Sequence, residues 1–298
     1  MSSSVERKSA QKHGPNHDDD SDIPAKQARS DKANGTAHEK TSSTKIVETG
    51  SLFFMYKPKV DVDEASNLDE VQRFHLMMIP DGQVTTKRLL IIAKKKLPKS
   101  KRDRHWAFVQ KTADDVEEIA ESALEQETYE TKTKGTRHVK ADRMAGEGKY
   151  AIIKHEDHSH IAYVLESPEE LGEVQKAFNI QKEDSFIVTV KNPHKKQTQG
   201  VGLPSKDKVK YPEEIQEIFD DHAWIPVEPE LLEFEGTEMI WIPSGHDIEH
   251  GLGKAGKKLE QIVDTKNAKD VMAEAHLDPD EHPTQALKDG KWPSPSKE

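Results

Sequence analysis

Leu52-Phe-Phe-Met-Tyr56 is an unbroken apolar run that stops at Lys57-Pro58. Two more runs of the same kind follow: Phe74-His-Leu-Met-Met-Ile79 before Pro80, and Leu89-Leu-Ile-Ile-Ala93 before three lysines. Short runs rich in aromatic and branched side chains, ended by proline or charge, read as buried strands. Tyr150-Ala-Ile-Ile153 and Ile161-Ala-Tyr-Val-Leu165 flank a polar stretch at 154–160, the pattern of a hairpin with a longish loop. Ser185-Phe-Ile-Val-Thr-Val190 and Met239-Ile-Trp-Ile242 add two strands, and Trp224-Ile-Pro226 and residues 231–234 read as weaker extended pieces.

Three helices are predicted among these strands. Thr112 is placed to cap a helix over 113–127, with Asp115 as the capping-box acid and Val116, Ile119, Ala120, Ala123 and Leu124 on one apolar face. Ser167-Pro-Glu-Glu170 is a helix start, carrying Leu171, Val174 and Phe178 as its buried stripe. Pro212-Glu-Glu214 opens a third, with Ile215, Ile218 and Phe219. A fourth, over 257–275, has Leu259, Ile262, Val263, Val271 and Met272 at helical spacing, and Gly251, Gly253 and Gly256 separate it from what precedes, as for a helix that folds against a partner. Strands outnumber helices without strict alternation, so the expected fold is α+β: a single strand-rich domain with three or four short helices. Its expected bounds are 46–243, between a disordered N-terminal tail at 1–45 and a polar C-terminal tail at 244–298.

Composition supports that division. Hydrophobic and charged residues each make up 33% of the 298 residues, which is apolar-poor for a chain folded throughout. Every Phe and Tyr lies within 46–243, whereas 1–45 has only Val5 and Ile23 as branched aliphatics and cannot offset the entropy of ordering. The absence of cysteine excludes disulfides, thiol catalysis and zinc ribbons. No signal core or membrane-length apolar run is present, so the expected setting is intracellular, cytoplasmic or nuclear, without membrane contact. The tail's basic residues are scattered, a weak import signal.

Charge is sorted into blocks. Residues 87–104 hold nine Lys or Arg against one acid, Asp103, whereas 112–131 hold eight acids and no base, in a chain of net charge −11. On the basic side, Lys94, Lys95, Lys96, Lys99, Lys101, Arg102 and Arg104 lead into Trp106. Lysines and arginines that neutralise phosphates beside an aromatic stacking surface would suit nucleic acid. Two plainer readings stand beside it: a solvated loop before an inward Trp106, or a loop cancelled by the acidic helix. On the acidic side, Asp114, Asp115, Glu118, Glu121 and Glu125 form a candidate protein-contact face.

His155-Glu-Asp-His-Ser-His160 is the sharpest chemical cluster. Imidazoles of His155, His158 and His160 suit a transition metal, while a hairpin tip is also where polar residues collect without one. His246-Asp-Ile-Glu-His250 lacks the HExxH order and sits between glycines, as in a polar linker. Ala145-Gly-Glu-Gly148 precedes a strand rather than a helix, the reverse of a phosphate cradle, and reads as a tight turn. No nucleophile motif or cofactor fingerprint occurs, so no cofactor is expected.

Several stretches carry a resemblance: Gly50-Ser-Leu-Phe-Phe-Met-Tyr-Lys-Pro-Lys-Val60, Tyr129-Glu-Thr-Lys-Thr-Lys-Gly-Thr-Arg137, Gly146-Glu-Gly-Lys-Tyr-Ala-Ile152, His160-Ile-Ala-Tyr-Val-Leu165 and Gly172-Glu-Val-Gln175, together with 88–98 and 185–193. In these the chain resembles a family of fungal proteins often labelled "BTB domain transcription factor". The resemblance implies kinship of fold over most of 50–243, and the label implies a nuclear dimer that recruits partners and contacts DNA. No site residue is implied. The sequence thus predicts a binding or scaffolding protein rather than an enzyme, with a protein partner. A nuclear nucleic-acid-associated protein and a metal-dependent enzyme using the histidine cluster are the alternatives.

Overall fold

Phe53 and Met55 are as deeply buried as Phe54 and Tyr56, although alternate residues of a strand face opposite ways. A strand buried on both faces needs a core on one side and a cover on the other, and the whole fold follows from that need. The computed structural model describes residues 44–82, 86–195, 202–262 and 268–293. All but the last two residues of the predicted N-terminal tail lie outside them.

The first strands are β1 (Lys45–Pro58), β2 (Val71–Pro80), β3 (Lys87–Ile92) and β4 (His105–Ala113). Then come helix α1 (Val116–Ile119), prolonged by a π turn over Ala120–Leu124, and the hairpin β5 (Glu127–Thr131) and β6 (Gly135–Val139). The second half holds β7 (Arg143–Lys154), β8 (Ser159–Ser167), α2 (Glu173–Phe178), β9 (Glu183–Lys191), α3 (Glu213–Glu217), β10 (Trp224–Pro226) and β11 (Glu238–Gly245). Helices α4 (Ile248–Leu252), α5 (Lys254–Glu260), α6 (Ala268–Glu274) and α7 (Gln285–Asp289) follow.

Two antiparallel meanders, β1-β2-β3-β4 and β7-β8-β9-β11, join edge to edge through β1–β7 and β4–β11. Pairing of β8 with the first half of β9 closes the ring, and β10 takes the second half of the same β9 edge. The domain is therefore a closed eight-stranded antiparallel β-barrel and not the α+β mixture expected. The expectation failed because the helices are only one or two turns long while the strands run on beyond their apolar runs. Thr112 and Ala113 end β4, so Asp115, not Thr112, caps α1. Ser167 ends β8, leaving α2 only Glu173–Phe178. Ala145-Gly-Glu-Gly148 is no turn but the middle of β7, where a Cβ on Gly148 would stand 2.1 Å from the Val164 carbonyl oxygen.

Inward side chains fill the barrel as eight strands allow. Leu52, Phe54, Tyr56, Phe74, Leu76, Leu90, Val109, Tyr150, Ile152, Tyr163, Phe186 and Trp241 form one cluster. Phe178 of α2 stacks on Phe74 at 4.5 Å and stoppers one end, where Trp292 also packs on Tyr56 and Phe178. Toward the other end, Arg88 is fully buried and forks onto Glu48, NH1 to Oε1 at 2.5 Å and NH2 to Oε2 at 2.9 Å, while Tyr150 donates to the same Oε1 at 2.7 Å.

The cover comes from helices. α1 and α6 lay Val116, Ile119, Leu124, Val271 and Met272 over Phe53, Met55, Met77 and Leu89. α4 and α5 bring Ile248, Leu252 and Leu259 over Ala151, Ile153 and Ala162. Where the sequence predicted a polar tail from 244 with one detached helix over 257–275, the described residues thus show α5 and α6 packed on the barrel wall. Residues 263–267 of that predicted helix lie outside the description. Among the described residues, the outward Trp106, Phe108, Ile240, Ile242, Ile187 and Thr189 of β4, β11 and β9 stay partly exposed. No described helix is long and apolar enough to cross a membrane.

Candidate functional site

The basic loop is built, not slack. Leu97 is buried and donates its N–H to the Phe178 carbonyl at 2.9 Å, and Asn179 Nδ2 returns to the Leu97 carbonyl at 2.8 Å. His105 Nδ1 meets the Lys96 carbonyl at 2.8 Å, and burial lowers the pKa of its ring. Asp103 accepts the N–H groups of Ser100 and Lys99, both at 2.9 Å, which hold its carboxyl down to about 2. The one acid of the run is therefore spent on shaping the loop. Lys94, Lys99, Lys101, Arg102 and Arg104 are exposed and Lys96 partly so, with no ion pair to an acid among the described residues. Lys95 departs from the expected set, because its ammonium turns inward to the Val71 carbonyl at 2.5 Å. Arg104 NH1 is partly engaged by the Lys101 and Asp103 carbonyls at 3.0 and 2.8 Å.

Trp106 leaves this loop as the second residue of β4, on the outward face and not in the core. Its ring stacks near-parallel on Phe108, centroids 6.2 Å apart, and meets Trp224 edge-on at 5.5 Å. Beside Phe108 runs a groove of about 740 Å³ lined by Ile91, Arg73, Lys206, Lys208 and Lys210. Its acids are Asp207 and Glu235, and Glu235 lies 3.7 Å from the Lys111 ammonium. Cations and aromatic faces thus share this partly exposed wall. Sequence reasoning missed Arg73, Phe108, Trp224 and the three groove lysines; the alternation Lys206-Asp-Lys-Val-Lys210 was the signal available.

The acidic helix stands elsewhere. The loop at 94–104 precedes β4 and α1 follows it, so the nine residues of β4 separate them by about 25–30 Å at 3.3 Å per residue. That distance rules out mutual cancellation. Asp114, Asp115, Glu118, Glu121 and Glu125 are all exposed, but Asp115 is occupied as the α1 cap and Glu118 binds Lys111 at 2.9 Å.

His155, His158 and His160 do converge. The β7–β8 hairpin places their ring centroids 4.8 to 5.0 Å apart, with the His155 and His158 rings parallel. His158 Nδ1 lies 2.6 Å from Asp157 Oδ1, and His160 Nδ1 lies 2.9 Å from Ser185 Oγ and 3.2 Å from Ser244 Oγ. Burial, then the neighbouring imidazoles, pushes His160 down to about 3 and lowers His155 in the same way. His246, of the second histidine pair, instead faces Asp184 at 3.1 Å, and Asp247 caps α4 where a linker was expected.

No family model, no curated protein and no solved structure matches this chain. The functional reading therefore rests on the residues themselves. The wall carries exposed cations of the 94–104 loop beside three partly exposed aromatic rings, Trp106, Phe108 and Trp224.

Proposed function

We propose that this protein is a binding module that holds single-stranded nucleic acid across the open wall of its barrel. The observation that carries the reading is the adjacency of unpaired cations on the 94–104 loop to the outward rings of Trp106, Phe108 and Trp224. Cations alone would suit any polyanion. Aromatic rings laid out on the same surface add what a single strand offers and a duplex hides, the faces of its bases. With a net charge of −11 the rest of the molecule repels such a ligand, so binding is confined to this wall and orientation is enforced.

The loop's anchoring supports the assignment. Leu97, Asn179, His105 and Asp103 fix its backbone, so its lysines meet phosphates without ordering the loop at each encounter. The groove lysines Lys206, Lys208 and Lys210 extend the track beyond Phe108. The test is fluorescence anisotropy with a labelled thymidine oligonucleotide and with a duplex of equal length. Preference for the single strand, weakened about tenfold or more by Trp106→Ala at a stacking contribution of about 1–3 kcal/mol per base, is the expected result. Equal affinity for duplex, or none for either, would overturn the reading.

A further inference from the structure

We propose that His155, His158 and His160 form a three-imidazole site for a divalent first-row transition ion, with zinc as the reference occupant. The site is independent of the nucleic-acid wall and lies at the β7–β8 hairpin, on the opposite meander from the basic loop.

Three features of geometry support it. The ligand atoms of the three rings all lie within 4.8 Å of one another. A zinc ion with nitrogen ligands at about 2.0–2.1 Å in tetrahedral array holds them roughly 3.4 Å apart, so closure requires small ring movements at a hairpin tip and no change of fold. Partners that orient two of the three rings are also in place. The Asp157 carboxylate accepts from His158 Nδ1, which leaves Nε2 of that ring as the ligand atom. His160 Nδ1 faces the hydroxyls of Ser185 at 2.9 Å and Ser244 at 3.2 Å, and with Nδ1 donating to them Nε2 carries the free lone pair. Carboxylate and hydroxyl partners of this kind are the usual supports of ligating histidines. Finally, His155 Nε2 is shielded from solvent and has no hydrogen-bond partner among the described residues, a cost that a metal bond would remove.

Three neutral nitrogens select borderline ions such as zinc, copper or nickel over magnesium and calcium. The fourth position is open to water. Because His160 leans on Ser185 of β9 and Ser244 of β11, an ion there would tie the hairpin tip to the β8–β9 seam that closes the barrel.

The experiment titrates zinc into full-length, chelator-stripped protein by calorimetry, with excess magnesium present. It then substitutes cobalt and reads the visible ligand-field absorption. Uptake of one zinc per chain is expected, with a ligand-field spectrum of low coordination number. Loss of both in His155→Gln/His158→Gln, and a 10–100-fold weaker site in Asp157→Asn, are also expected, with unchanged circular dichroism. The first two histidines lie at the hairpin surface, so these variants keep the fold. As control, His13→Gln/His17→Gln should bind as the wild type does. Absence of zinc uptake, uptake that survives the double hairpin variant, or uptake abolished by the tail variant would each overturn the proposal.

Discussion

The Arg88–Glu48 pair gives the sharpest stability prediction. Glu48→Gln keeps the shape of the side chain but leaves the Arg88 guanidinium inside the barrel, fully buried, with no counter-charge. Arg88→Met leaves the Glu48 carboxylate with only the Tyr150 hydroxyl at 2.7 Å. Breaking a buried pair from one side costs about 3–5 kcal/mol. For a domain of this size each kcal/mol lowers Tm by about 2–4 °C, so each single variant should melt roughly 6–20 °C lower. Glu48→Leu/Arg88→Met removes both desolvation costs together and should recover most of that loss. Thermal and urea unfolding, followed by circular dichroism on wild type, both singles and the double, give the full cycle. Single variants costing below about 1 kcal/mol would refute the reasoning, since they would mean that water reaches the pair.

Two further outcomes follow from the fold. Gly148→Ala should destabilise by about 1–3 kcal/mol in urea unfolding, because its Cβ meets the Val164 carbonyl, a backbone atom that cannot swing away; wild-type stability would contradict the β7–β8 close approach. Burial pushes the Asp184 carboxyl up to about 7, against the smaller opposing pull of His246. The folded state thus binds that proton more tightly than the unfolded chain, and stability falls as pH rises from about 4 toward and past 7. Asp184→Asn should flatten this fall in a Tm-against-pH profile, and identical profiles would count against it.

Much of the barrel was legible in its strands. Seven of the apolar and β-branched runs correspond to barrel strands, and the 154–160 hairpin was read from two of them. Closure was not legible, because it depends on pairings such as Trp106↔Ile240 and Phe186↔Ile161 that no local pattern encodes. One neglected clue was available. Phe53 and Met55 alternate with Phe54 and Tyr56, so β1 announces covers on both faces. The C-terminal helices looked like tail because each contributes only a few apolar residues, such as Leu259 or Val271 with Met272, to a wall already supplied by strands. For the site, the loop's charge and the histidine spacing were plain in the sequence. The inward turn of Lys95 and the arrival of Lys206, Lys208 and Lys210 beside Phe108 depend on three-dimensional packing, and only the structure supplies them.

The most direct test of the open wall is the salt dependence of thymidine-oligonucleotide binding, measured for wild type and for Lys94→Gln/Lys96→Gln/Lys99→Gln. If five loop cations, Lys94, Lys96, Lys99, Lys101 and Arg102, each displace a counterion while Arg104 stays on its carbonyls, the logarithm of affinity should fall with the logarithm of salt at a slope of about −3.5. Removing three of them should make that slope shallower by about 2. Binding insensitive to salt, or a slope unchanged in the triple variant, would contradict a nucleic-acid track on this wall.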